Sequence, residues 1–130
     1  MIVVDASAVL EVLLQTPAAP AVSDRFFGRG DSLHAPHLLD VEVAQVLRRY
    51  AAARELDERR GREALEDLRD FPLTRYPHDI LLERVWALRH QLTAYDAVYI
   101  ALAEVLRAPL VTRDRRLASS HGHRAKIELV

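Results

Sequence analysis

Cysteine is absent from the chain, which excludes a disulfide framework and any thiolate metal site. Also absent is an apolar run approaching the ~20 residues that span a bilayer. No basic segment precedes the N-terminal apolar residues, which argues against a signal peptide. A cytoplasmic protein with no membrane partner is therefore expected. Neither sign of charge dominates: 18 basic and 19 acidic residues leave a net charge of -1, so the totals single out no nucleic-acid partner. Lysine is nearly missing, because every basic residue except Lys126 is an arginine. Arginine suits planar contacts with phosphate and carboxylate, although an Arg- and Ala-favouring codon usage explains the same bias.

The 130 residues are 50% hydrophobic and 28% charged, which fits one globular domain over residues 1–130 with a substantial core. Ile2, Val3 and Val4 form an unbroken β-branched run followed at once by Asp5. A run without polar alternation suits a strand buried on both faces of a parallel sheet. In open α/β sheets the chemistry lies beyond the carboxyl ends of such strands, where Asp5 would stand.

Helices are expected over Ser7–Leu14, Pro20–Phe27, Pro36–Arg54, Asp57–Arg69 and Asp79–His90, the last carrying Ile80, Val85, Trp86 and Leu88. A further, almost wholly apolar helix covers Ala97–Leu106. Its lack of a polar face marks it as buried. Short strands are expected at Ser32–Ala35, Leu73–Tyr76, Pro109–Thr112 and Ile127–Val130. This alternation points to a single three-layer α/β/α domain with a mainly parallel central sheet of four or five strands.

Four acids fall at special places in this layout. Asp5 and Asp114 each follow a β-rich run, while Glu42 and Asp96 sit in the opening turns of helices that start at the same sheet edge. Each also has a plainer reading. Asp5 and Asp114 suit helix N-caps, and Thr93-x-x-Asp96 resembles a capping box with Asp96 favoured by the helix dipole. Glu42 resists such a reading, because its neighbours three and four residues away (Leu38, Leu39, Gln45, Val46) are mostly apolar. A carboxylate buried there needs a partner. Converging carboxylates ~5 Å apart repel by about 3 kcal/mol per pair at an effective dielectric of ~20. Mg²⁺ or Mn²⁺ relieves that repulsion and is selected by all-oxygen ligands. A site of this kind turns over phosphodiesters without a Ser, Cys or His nucleophile.

The histidines support no rival metal site. His34 and His37 are separated by Pro36, and His121 and His123 sit in the loop SSHGHR, so a zinc hydrolase is disfavoured.

The segments DAS, LLDVEVAQVLRR, YDAVYIALA and LVTRDRRL together resemble the PIN-domain ribonucleases, and most closely the VapC toxins of bacterial type II toxin–antitoxin systems. The resemblance runs in order along essentially the whole chain. It implies a PIN-like fold and a metal-dependent endoribonuclease, with Asp5, Glu42, Asp96 and Asp114 holding Mg²⁺ or Mn²⁺. Ser7 and Thr112 match hydroxyl positions that orient acids or waters; a helix cap and a strand-end hydroxyl explain them equally. Arg113, Arg115 and Arg116 flank Asp114 and suit RNA phosphates, or else form a solvated basic turn. Arg48 and Arg49 are expected on an outer helix face. A VapB-type antitoxin and a homodimer are implied partners, with Val9, Val12, Leu13, Phe26 and Phe27 as candidates for an apolar groove.

A different class of function also fits: a non-catalytic PIN-fold interaction module whose acidic pocket binds metal or a basic peptide. A phosphoacceptor receiver fits poorly, since Ala6 rather than a second acid follows Asp5 and no lysine is near.

Overall fold

The computed structural model describes residues 1–130. Five strands, β1 (Ile2–Val4), β2 (Leu33–Pro36), β3 (Leu73–Tyr76), β4 (Leu110–Thr112) and β5 (Ile127–Leu129), form one sheet in the order β3-β2-β1-β4-β5. Every pairing is parallel. The expected "mainly parallel" sheet of four or five strands thus has five, all parallel.

β1 is central for the reason its composition suggests. Ile2, Val3 and Val4 are each 0% exposed, and burying such a side chain contributes ~1.5–3 kcal/mol. Val3 registers with His34 on one side and Leu110 on the other. From β1 the chain winds outward through β2 and β3, then returns to lay β4 and β5 on the opposite side. The order therefore reverses between β1 and β4, and a crevice opens at their carboxyl ends.

Seven helices flank the sheet: α1 (Ala6–Leu13), α2 (Ala19–Phe27), α3 (Leu38–Ala52), α4 (Glu58–Asp70), α5 (Leu82–Ala87), α6 (Ala94–Leu106) and α7 (Arg115–Ala118). The first four pack on one another, and α5 packs on α6. Every residue of α6 from Ala97 to Ala103 is buried, as its apolar circumference requires.

Two expected boundaries move. Pro36 ends β2 instead of opening the long helix; α3 starts at Leu38, whose amide donates to Nε2 of His78 (2.9 Å). The expected helix Asp79–His90 is instead a 3-10 turn, Asp79–Leu81, followed by the short α5. Its inward stripe is Leu81, Val85 and Leu88, spaced four and three residues apart. Ile80 and Trp86 fall off that stripe and are 63% and 69% exposed.

His34 lies buried in β2, its ring bonded to Tyr76 Oη (2.7 Å) and Ser32 Oγ (2.8 Å). His37 is exposed and faces His78 instead, so the two do not form a metal pair. Of the candidate groove residues, Val9, Leu13 and Phe26 belong to the core, which leaves Val12 and Phe27 accessible.

Candidate active site

The crevice at the sheet reversal is a cleft of about 610 Å³. Its floor is a knot of hydrogen bonds joining the ends of β1 and β4. Asp5 accepts from Thr112 Oγ1 through Oδ2 (2.5 Å) and from Ser7 Oγ through Oδ1 (2.7 Å). Oδ1 also takes the Ala8 amide (3.1 Å), which makes Asp5 the N-cap of α1. The same hydroxyls reach onward: Ser7 Oγ accepts from the Arg113 amide (3.0 Å), and Thr112 Oγ1 from the Asp114 amide (2.9 Å). Asp114 in turn caps α7, accepting from the Arg116 amide at 2.8 Å. The capping reading of both acids therefore holds, and both line the cleft as well.

Glu42 enters from the second turn of α3 and Asp96 from the first turn of α6. Tyr99, one turn beyond Asp96, donates its hydroxyl to Glu42 Oε1 (2.6 Å) and so bridges the two helices. Thr93 Oγ1 accepts from the Asp96 amide (3.3 Å), closing one half of the capping box.

Burial raises the Asp5, Glu42 and Asp96 carboxyls above the usual range, and the acids push one another further up: Asp114 acts on Asp5 and Asp96, and Asp5 and Asp96 on Glu42. Offsetting contacts are few, namely the hydroxyl and amide donors to Asp5, Tyr99 on Glu42, and Arg116 and Thr93 on Asp96. Tyr99 is pushed far up, first by its burial and then by Glu42, and stays protonated as a donor.

The donors available in this cleft are hard oxygens, and their mutual repulsion is the kind a divalent cation relieves. No three Asp, Glu or His side chains are gathered closely enough to form a closed cage. The donor type fits Mg²⁺ or Mn²⁺, with the carboxylates disposed around an open cleft where waters complete the ligand set.

Asp5, Ser7, Glu42, Asp96, Arg113 and Asp114 all line the cleft, and buried Thr112 supports it from behind Asp5. Arg115 and Arg116 stand outside the lining, the latter near Asp114 (3.5 Å). Arg49, expected on an outer face, lines the cleft instead, as do Tyr95 and Tyr99. The signals for Arg49 and Tyr99 were spacings: Arg49 lies seven residues, two turns, after Glu42, and Tyr99 three after Asp96.

The PIN domain family model matches residues 2–120. Ribonuclease VapC12 of Mycobacterium tuberculosis is 43% identical over 130 residues, covering 100% of this chain and 99% of that protein. The chain belongs to the PIN-domain family, among the VapC ribonucleases. Ribonuclease VapC9 of the same species is 45% identical, covering 100% of this chain and 98% of the relative. Among solved structures, PAE2754 from Pyrobaculum aerophilum aligns with TM-score 0.68 and 27% identity, over 96% of this chain and 81% of that one. VapBC2 from Rickettsia felis, solved bound to a DNA fragment from their promoter, gives TM-score 0.71 at 12% identity, over 99% and 98% of the two chains. That last likeness is one of fold. On this PIN fold, the acidic cleft occupies the crevice between β1 and β4.

Proposed function

We propose that this PIN-domain chain is a metal-dependent endoribonuclease, the toxin of a type II toxin–antitoxin pair, and that residues 1–130 act as one unit. The observation that carries the reading is the convergence of Asp5, Glu42, Asp96 and Asp114, from four separate elements, on one cleft. A divalent cation such as Mg²⁺ or Mn²⁺, if held there, would supply water activation and charge stabilisation at the leaving oxygen of a phosphodiester. The four carboxylates would hold the cation in part through the waters that complete its ligand set. Ser7 and Thr112 fix both oxygens of Asp5, and Tyr99 aims Glu42. The water oxygen bonds to phosphorus as the ester P–O bond breaks, and the proton that the water gives up passes through solvent to the leaving oxygen. Arg113, Arg115 and Arg116 are proposed to face RNA phosphates around the cleft mouth.

A VapB-type antitoxin, as the name of the Rickettsia felis complex suggests, and a second copy of the chain are the proposed protein partners. The cytoplasm, where such an RNA substrate would be met, is the proposed site of action.

The test is cleavage of a mixed RNA pool by purified protein with Mg²⁺ or Mn²⁺, with EDTA, and with an identically prepared Asp96→Asn variant. Metal-dependent cutting by the wild type alone is expected. Equal cutting by the variant would assign the activity to a contaminant. If neither cuts while the wild type still binds Mn²⁺, the chain is a non-catalytic PIN-fold module.

A further inference from the structure

Two exposed apolar side chains in the cleft wall lie immediately before site carboxylates in sequence. Val41 precedes Glu42 on α3, Tyr95 precedes Asp96 on α6, and the two are 67% and 64% exposed. The Tyr95 ring takes part in none of the aromatic or cation–π pairs of the chain. The ring is thus left largely open to the cleft's solvent.

The cleft's two arginines differ in the same way. Arg113 is anchored at the cleft mouth, with Nε 3.6 Å from Glu11 and Nη1 donating to the Val130 carbonyl at 2.5 Å, so only part of its guanidinium is left for a phosphate. Arg49 has no ion-pair partner. It is the one uncommitted cation lining a cleft that is otherwise strongly acidic.

We propose that Tyr95 and Arg49 form a nucleotide subsite: Tyr95 stacks on an unpaired RNA base beside the scissile phosphate, and Arg49 holds a neighbouring phosphate. This rests on the ribonuclease reading and adds which part of the RNA is gripped, and by what. The carboxylates themselves repel a polyanion, so RNA affinity has to come from the walls. Arg49 lies seven positions after Glu42 on α3, so its backbone is about 10.5 Å further along the axis, which suits it to a phosphate next to the one that faces the acids. A base within a duplex already has both faces stacked, so a bare aromatic ring selects an unpaired nucleotide.

The experiment measures binding of a fluorescein-labelled single-stranded RNA, and of the same RNA annealed to its complement, by anisotropy in Mg²⁺. Asp96→Asn serves as the non-cleaving parent. Adding Tyr95→Ala is expected to weaken single-strand binding about 10-fold, while Tyr95→Phe retains it. Adding Arg49→Ala lowers affinity and reduces the salt-dependence slope by about one, whereas Arg48→Ala on the outer face of α3 changes neither. The duplex binds more weakly than the single strand. Unchanged binding in both Tyr95→Ala and Arg49→Ala would overturn the subsite and leave the nuclease reading standing. So would equal losses in Tyr95→Phe and Tyr95→Ala, or a duplex bound as tightly as the single strand. Absence of RNA binding in the wild-type protein as well as in the parent would overturn both readings.

Discussion

Tyr99 resolves at a single residue the problem posed by Glu42. A half-buried carboxylate needs a donor, and an arginine or lysine there would cancel the charge that a cation site requires. A phenol whose burial and acidic neighbour keep it protonated donates one hydrogen bond and leaves the charge in place. Tyr99→Phe removes that bond with little change in shape. Groups that orient metal ligands typically govern affinity by 10–100-fold, so Mn²⁺ binding measured by titration calorimetry is expected to weaken about 10-fold, with the far-UV spectrum unchanged. Unaltered Mn²⁺ affinity would make Tyr99 an ordinary core residue. The acids were legible in the sequence because each breaks a local rule, following a β run or interrupting an apolar face. Tyr99 and Arg49 break none: one reads as core in an apolar helix, the other as a surface cation, and only their spacing from Asp96 and Glu42 hints at the cleft that both line.

The same division holds for whole elements. β1, the buried α6 and the strand ends that carry Asp5 and Asp114 follow from β-branched runs and an apolar circumference, which are local properties. The segment 79–90 was harder to read, because Ile80 and Leu81 are adjacent and only tertiary contact decides which faces inward. What ties the outer elements together was equally hidden. Arg25 of α2 is buried, donating to the distant Glu128 of β5 (2.6 Å) and to Asp31 in the loop after α2 (3.0 Å), which also receives the N-terminal ammonium (2.6 Å). These donors hold Asp31 and Glu128 below the usual carboxylate range: first the N-terminus and then Arg25 for Asp31, and first Arg25 for Glu128. Such depressed groups add stability above the ordinary carboxylate pKa, and it is lost as pH falls through their lowered values. Arg25→Met keeps the stem packing, strands Glu128 and leaves Asp31 with the N-terminal ammonium alone, for which a loss of about 1 kcal/mol at pH 7 is expected after discounting for solvent. Urea denaturation checks this. The gap from wild type should narrow below about pH 4, where unfolded carboxylates protonate, and a gap independent of pH would assign the loss to packing alone.

For the whole molecule, a net charge of -1 conceals a conflict between these two sets of acids. Asp31 and Glu128 favour folding once ionised, whereas Asp5, Glu42 and Asp96 are raised by burial and by their acidic neighbours and oppose it. A carboxyl whose folded pKa is raised adds stability below its unfolded value, near 4, and that contribution is lost as pH rises through the raised folded value. In metal-free buffer at neutral pH the cleft is therefore a source of instability, and Asp96→Asn should melt at the wild-type temperature or slightly above it. A markedly lower melting temperature would mean that Asp96 acts chiefly as a helix-start residue. Mn²⁺ binds only the ionised carboxylates, so its effect must grow with pH. At 100-fold over its dissociation constant a ligand adds about 2.7 kcal/mol, which for a chain of this size raises Tm by several degrees. Scanning calorimetry with and without Mn²⁺ should show that rise at pH 7.5, a smaller one at pH 4.5, and a much reduced rise in Asp96→Asn at either pH. An equal rise at both pH values, or in both proteins, would place cation binding elsewhere on the chain and separate the acidic cleft from any metal-dependent chemistry.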